Sequence, residues 1–139
     1  MASLIYNSTI DEMARGDIDF DTDTFKAMLV TSSYTPNKDT HEFRDDVTNE
    51  VAATGGYTAG GVTSACTVTK DTANDKVTLQ FAAVSWAAST ITARALVIYK
   101  SRGGASSADE LVAYNDFGSD VSSSGGTFSV AASTITLQN

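Results

Sequence analysis

From Val62 onward the chain repeats one pattern: a short run rich in Val, Thr, Ile, Leu and aromatic residues, then a cluster of Gly, Ser, Asn or Asp. The runs are Val62–Lys70, Lys76–Ala82, Val84–Trp86, Ala93–Lys100, Leu111–Phe117, Thr127–Ala131 and Thr134–Gln138. Turn signals that recur roughly every ten residues leave no room for the helical crossovers of a parallel sheet. An earlier run, Thr24–Ser32, brings the expected strands to seven or eight. This spacing predicts an all-β fold, an antiparallel β-sandwich of jelly-roll-like type.

The patterning inside the runs says which strands are central. Phe25, Ala27 and Leu29 fall on one face of their strand and Met28 and Val30 on the other, so both faces are apolar and both are expected to be covered. The same holds for Ala95, Val97 and Tyr99 against Leu96 and Ile98. Val77, Leu79 and Phe81 alternate with Lys76, Thr78 and Gln80, which predicts a strand buried on one face. The expected core is Phe25, Leu29, Val77, Leu79, Phe81, Val97 and Tyr99, with Trp86 also inside. Thr72-Ala73-Asn74-Asp75 reads as a hairpin turn, and Ser101–Asp109 and Ser119–Gly126 read as mobile loops. One word recurs: Ala87-Ala88-Ser89-Thr90-Ile91-Thr92 is repeated as Ala131 to Thr136. Six residues are too few to define a structural repeat.

Only Ser8–Arg15 reads as helix, with Ser8 or Thr9 as cap, Asp11 and Glu12 in the first turn and Gly16 as the stop. The chain therefore divides into an N-terminal arm and short helix, residues 1–16, and a single β-sandwich domain, residues 17–139.

Charge excludes whole classes of partner. The 139 residues carry a formal net charge of −8 and a pI near 4.3, with no run of Lys or Arg, so nucleic acid is an unfavoured partner. No apolar stretch approaches the roughly 20 residues that span a bilayer, so no membrane contact is expected. Met1–Tyr6 lacks the basic and apolar regions of a signal peptide, and Cys66 is the sole cysteine, which together predict a disulfide-free chain kept in a cytoplasm.

The usual chemistry is thin. His41 is the one histidine and no G-x-S-x-G elbow accompanies it, so it reads as a solvated loop residue rather than a general base. One His and one Cys do not make a zinc site, and Cys66 reads as a small buried hydrophobe. Asp17, Asp19, Asp21 and Asp23 alternate, which puts four carboxylates on one side of an extended segment. Oxygen ligands of that kind suit calcium, but the glycine and closing glutamate of a calcium loop are missing, and the expectation is a solvated acidic edge with no metal. Asp116 with Asp120 or Glu110 forms the kind of carboxylate pair that glycosidases use, without an aromatic cleft to hold a sugar. No cofactor is expected. Tyr57, inside Gly55-Gly56-Tyr57-Thr58-Ala59-Gly60-Gly61, reads as an exposed aromatic in a mobile loop and hence as a contact residue.

Three stretches carry a resemblance: Asp23-Thr24-Phe25-Lys26-Ala27-Met28-Leu29-Val30-Thr31-Ser32-Ser33-Tyr34-Thr35-Pro36, Thr54–Val62 around Tyr57, and Ser89-Thr90-Ile91-Thr92-Ala93-Arg94-Ala95-Leu96-Val97-Ile98-Tyr99-Lys100. Together they resemble small structural proteins of tailed bacteriophages, some of them similar to capsid cement (decoration) proteins. The likeness runs from about the first helix to Phe117-Gly118, and the last twenty or so residues are more individual. The resemblance implies a structural virion protein, not an enzyme. It would be assembled in a bacterial cytoplasm, sit on the capsid exterior as a dimer or trimer, and bridge subunits of the phage major capsid protein. Leu4, Ile5 and Tyr6 of the arm, with Tyr57, are the expected contacts. A neck or tail position is the alternative, and a carbohydrate-binding β-sandwich is a third reading from a different class.

Overall fold

The computed structural model describes residues 2–139, and the strand pairing within it is antiparallel throughout. Among these residues the strands are β1 (Leu4–Ile5), β2 (Phe25–Val30), β3 (Val62–Thr63), β4 (Cys66–Asp71), β5 (Lys76–Phe81), β6 (Val84–Ser89), β7 (Thr92–Lys100), β8 (Leu111–Ser122), β9 (Gly126–Val130) and β10 (Ser133–Gln138). One α-helix, α1 (Asn7–Arg15), lies near the N-terminus. No helix among the described residues is long and apolar enough to cross a membrane.

The first layer is a five-stranded sheet in the order β1-β8-β7-β2-β3. The second layer is one bent ribbon. Strands β5 and β6 are separated only by Ala82-Ala83, strands β9 and β10 only by Ala131-Ala132, and the two breaks sit opposite each other, flanked by the pairs Phe81↔Ser133 and Val84↔Val130. Strand β4 widens the β10-β5 half to three strands. The fold is an antiparallel β-sandwich with one short helix.

The expected two-faced strands are central, as their patterning demands. Phe25, Ala27 and Leu29 of β2 and Leu96 and Ile98 of β7 pack against Leu79, Phe81, Trp86 and Phe128 of the second layer. Phe25 meets Phe81 edge-on and stacks on Phe20, with ring centroids 5.4 Å apart in both contacts. The opposite face of the first layer, with Met28, Val30, Ala95, Val97, Tyr99 and Tyr114, is covered by Tyr6 and Tyr34 rather than by a sheet. Val77 is only half-buried, because the β4–β5 hairpin extends toward the rim of the core. Val112 is an extra residue opposite the Ile98–Tyr99 step, and this bulge lets Val112 and Ala113 both face the sandwich core.

Several expectations are corrected. Helix α1 starts one residue earlier than read, with Tyr6 as its N-cap and no side-chain cap bond. The Thr9 hydroxyl is instead within bonding distance of the Leu111 and Val112 carbonyls, at 2.8 and 2.9 Å, where the bulge leaves acceptors to satisfy. Leu4–Arg15, read as an arm and helix outside the β-domain, packs into it. Leu4 and Ile5 pair with Tyr114 and Ala113, and Tyr6 is 0% exposed. The Asp17–Asp23 segment is a turn, not an extended strand, because Ile18 and Phe20 plug the core and the Asp23 N–H closes onto the Asp19 carbonyl at 2.9 Å. Strand β8 runs to Ser122, so the mobile loop expected from Ser119 shrinks to the turn before Gly126. Cys66 is half-buried rather than buried, and the burial it has pushes its thiol up to about 11.

Candidate functional site

Several carboxylates from the expected acidic edge and the expected carboxylate pair are engaged in local bonds. Asp23 pairs with Lys100 Nζ at 2.8 Å, and the Asp19 carboxyl is held below its usual range by the Thr22 hydroxyl and the Asp21 N–H. Glu110 is clamped by the Arg102 guanidinium. Asp109 accepts from Arg44 Nε at 2.9 Å and from the Arg102 N–H at 2.8 Å. These pairs tie down the loop between β7 and β8. Among the described residues no three His, Cys, Asp or Glu side chains converge as a metal-holding group. His41 is half-buried rather than solvated. Its ring stacks on Tyr34, and its Nδ1 lies 3.0 Å from the Tyr34 hydroxyl, which in turn meets the Tyr6 hydroxyl at 2.9 Å.

Tyr57 is 4% exposed, which overturns its reading as a surface contact. Its hydroxyl donates to Glu50 Oε1 at 2.7 Å and accepts from the Leu29 N–H at 3.0 Å. Glu50 Oε1 also accepts the Gly60 N–H at 2.6 Å, and the Tyr99 hydroxyl donates to the Gly60 carbonyl at 2.6 Å. The glycines serve close approach rather than mobility. A Cβ on Gly55 would lie 2.6 Å from the Thr90 carbonyl oxygen. With the loop pressed this tightly, its aromatic has only the interior to enter.

What the fold leaves open is one side of the sandwich. Strand β1 is the outer strand of the first layer and β10 the outer strand of the three-stranded part of the second. Between them runs a groove of about 600 Å³, walled by Leu4 and Ile5 on one side and Ile135 on the other, with Phe81, Ile98 and Ala113 below. A second hollow of about 320 Å³ continues it past Phe117 and Phe128 to Val121. A bond from Asn115 Nδ2 to Ser133 Oγ, 3.1 Å, bridges the layers where the two meet. Ile5 and Val121, two of the exposed large apolar side chains, border this side.

Of the four expected contact residues, this side therefore presents two. Leu4 and Ile5 stand on a strand edge above an apolar groove, while Tyr6 and Tyr57 are core. The β10 edge was not singled out from sequence, although its signal was there: residues 121–139 contain no charged side chain and no proline.

One ion pair marks the groove's rim. Arg94 Nε lies 2.9 Å from Asp116 Oδ1, and that bond, with the Gly118 N–H at 3.0 Å, lowers the Asp116 carboxyl to about 2. A native value below the unfolded one means that stability is fully present above the unfolded value of 3.8 and is lost as pH falls through about 2. Asp116→Asn is therefore expected to lower stability at neutral pH and to flatten its decline between those two values. Denaturant titrations at stepped pH measure both.

Comparison with protein-family models, with curated proteins and with solved structures finds no match to this chain.

Proposed function

We propose that this chain is a structural virion protein of a tailed bacteriophage, which adds to the outside of the capsid and stabilises it by bridging subunits of the major capsid protein. The observation that carries the reading is the free β1 edge above an apolar groove, on a side where Ile5 and Val121 stay exposed. An apolar segment of a shell protein seated in the groove buries its side chains against Leu4, Ile5 and Ile135, and the short β1 edge adds few main-chain hydrogen bonds. Surface features of this kind serve protein contact rather than catalysis. The net charge of −8 keeps the free protein soluble and suits a surface turned away from packaged DNA. Binding that requires two neighbouring subunits stabilises the lattice and not its parts. A carbohydrate-binding sandwich needs an aromatic platform in solvent, and here Trp86 is buried between Tyr57 and Phe128 while Phe43 and Phe117 are half-buried.

The test is binding to mature shells. Wild-type protein is expected to coat them evenly, to bind unexpanded precursors and free capsid subunits far less, and to raise the temperature at which particles release DNA. Ile5→Asp is expected to weaken coating at least about tenfold while leaving the domain folded. A handful of copies confined to one vertex would overturn the cement reading in favour of a neck or tail component.

A further inference from the structure

The strand edges of this molecule are not equivalent. Among the described residues, β1 and β3 are two residues long, and β4 ends in Lys70-Asp71, charges that discourage pairing. Strand β6 is bulged at Ala88, whose φ is 47°, and β9 opens on Gly125-Gly126. Strand β10, Ser133-Thr134-Ile135-Thr136-Leu137-Gln138, is six residues long and carries no charge, proline or bulge. Its outer edge has no neighbour in the sheet.

The direction of its backbone groups follows from one bond. The Asn139 N–H donates to the Asp75 carbonyl on the β5 side, at 3.2 Å. Alternation along an antiparallel strand then turns Ser133, Ile135 and Leu137 toward β5, and the N–H and C=O groups of Thr134, Thr136 and Gln138 outward. All three of those residues are exposed, and Leu137 is 38% exposed on the opposite, core-facing side of the strand.

We propose that a second copy of this chain pairs with this one through β10, antiparallel, about a two-fold axis at Thr136. In that register Thr136 faces itself, and Thr134 and Gln138 face Gln138 and Thr134 of the second copy. All three outward-facing residues thus form hydrogen-bonded pairs, about six main-chain bonds in all. The same register sets Leu137 against Ile135 of the second copy in the closer, non-hydrogen-bonded positions, and this covers the apolar side chain that the monomer leaves in water. The result is a continuous six-stranded layer, β4-β5-β10 joined to its symmetry mate.

Charge selects the occupant. Two chains of net charge −8 repel, and the contact needs a surface that adds no like-charge pair at close range. Residues 121–139 contain no charged side chain, and the self-complementary register asks nothing of a different partner. The contact is smaller than a standard stable interface, so the dimer is expected to dissociate on dilution and to tighten where a surface holds both copies. This pairing does not rest on the capsid reading.

The experiment is sedimentation equilibrium on the full chain over a concentration series reaching about 1 mM, with cross-linking as the register test. Wild type is expected to pass from monomer to dimer. Thr136→Pro removes only an outward N–H, so it spares the β5 pairing and is expected to weaken the dimer at least about tenfold. Thr67→Asp, on the same face but on the far strand β4, is expected to leave the dimer intact. In a Cys66→Ser background, Thr136→Cys is expected to form a disulfide dimer under oxidation, because a hydrogen-bonded pair sets its Cα atoms about 5.5 Å apart. Thr134→Cys alone is expected not to, since its partner is Gln138. A wild type that stays monomeric throughout, a Thr136→Pro dimer as tight as wild type, or cross-linking through Thr134 but not Thr136 would each overturn the proposal.

Discussion

Tyr6→Ala is expected to unfold at a markedly lower denaturant concentration than wild type, with about 3–5 kcal/mol of stability lost. The side chain is 0% exposed and sits with Met28, Val97, Leu111 and Tyr114 on the face of the first sheet that no second sheet covers. Truncation leaves a cavity beside Tyr34, whose hydroxyl also loses one of its two partners, the Tyr6 hydroxyl at 2.9 Å, and keeps His41 Nδ1. Tyr6→Phe separates the two effects: the ring stays, only the hydroxyl bond goes, and the expected cost is about 1 kcal/mol. The loss is a large share of the roughly 5–15 kcal/mol that holds a domain of this size together. For the same reason, removal of residues 2–7 is expected to destabilise the whole domain rather than trim an appendage. Any test of shell binding through Leu4 and Ile5 must therefore use point substitutions on the β1 edge. Equal denaturation midpoints for Tyr6→Ala and wild type would show that this face is not a cohesive core.

Gly61→Ala is expected to be the most damaging single-methyl change in the chain. Gly61 has φ of +73°, and a Cβ built there would stand 1.8 Å from the Ala27 carbonyl oxygen and 2.7 Å from the Met28 Cα. Those atoms belong to β2, an interior strand of the first layer, and Gly61 is the residue that delivers the chain into β3 beside it. The left-handed backbone alone costs an alanine about 1–2 kcal/mol, and the overlap can be relieved only by pushing β3 away from β2. A total loss of at least about 3 kcal/mol is expected, along with faster hydrogen exchange at Ala27, whose N–H faces β3, and little change at Lys26, whose N–H faces β7. Gly103→Ala is the control. Gly103 also has positive φ, at 79°, but nothing lies within 4 Å of a Cβ there, so only the backbone strain remains. If the two variants lose the same amount, the close approach of Gly61 to β2 is not what requires glycine.

Much of the sandwich was legible because strand patterning is a local signal. The two-faced apolar runs of β2 and β7 can be buried only in the middle of a covered sheet, and the alternation of Val77, Leu79 and Phe81 fits one buried face. The stop at Gly16, left-handed at φ 83°, and the turn before Lys76 are equally local, set by the few residues that tolerate those backbone angles. The candidate site was legible only in part. Leu4 and Ile5 were singled out as apolar residues at a terminus, and they do line the groove. Nothing nearby in sequence says that Tyr6, one residue further, turns inward against β8, more than a hundred residues away. Tyr57 misled for a related reason. A glycine-rich loop has the same composition whether it is mobile or pressed flat, and only its long-range neighbours Leu29, Thr90 and Tyr99 decide which.

The repeated hexapeptide shows the division most directly. In Ala87–Thr92 the chain bulges through Ala88 at φ 47°, Ser89 is fully buried, and Ile91 enters the core. In Ala131–Thr136 the same six residues bend the ribbon between β9 and β10 and then run straight as an outer strand, with Ser133 and Ile135 half-buried. The sequence by itself determined only that both copies carry the Thr and Ile that favour a pleated, half-buried surface. Tertiary structure alone decided which copy is interior and which is left as an edge. Bulges, registers and burial are properties of the partner strand, and the two copies have different partners.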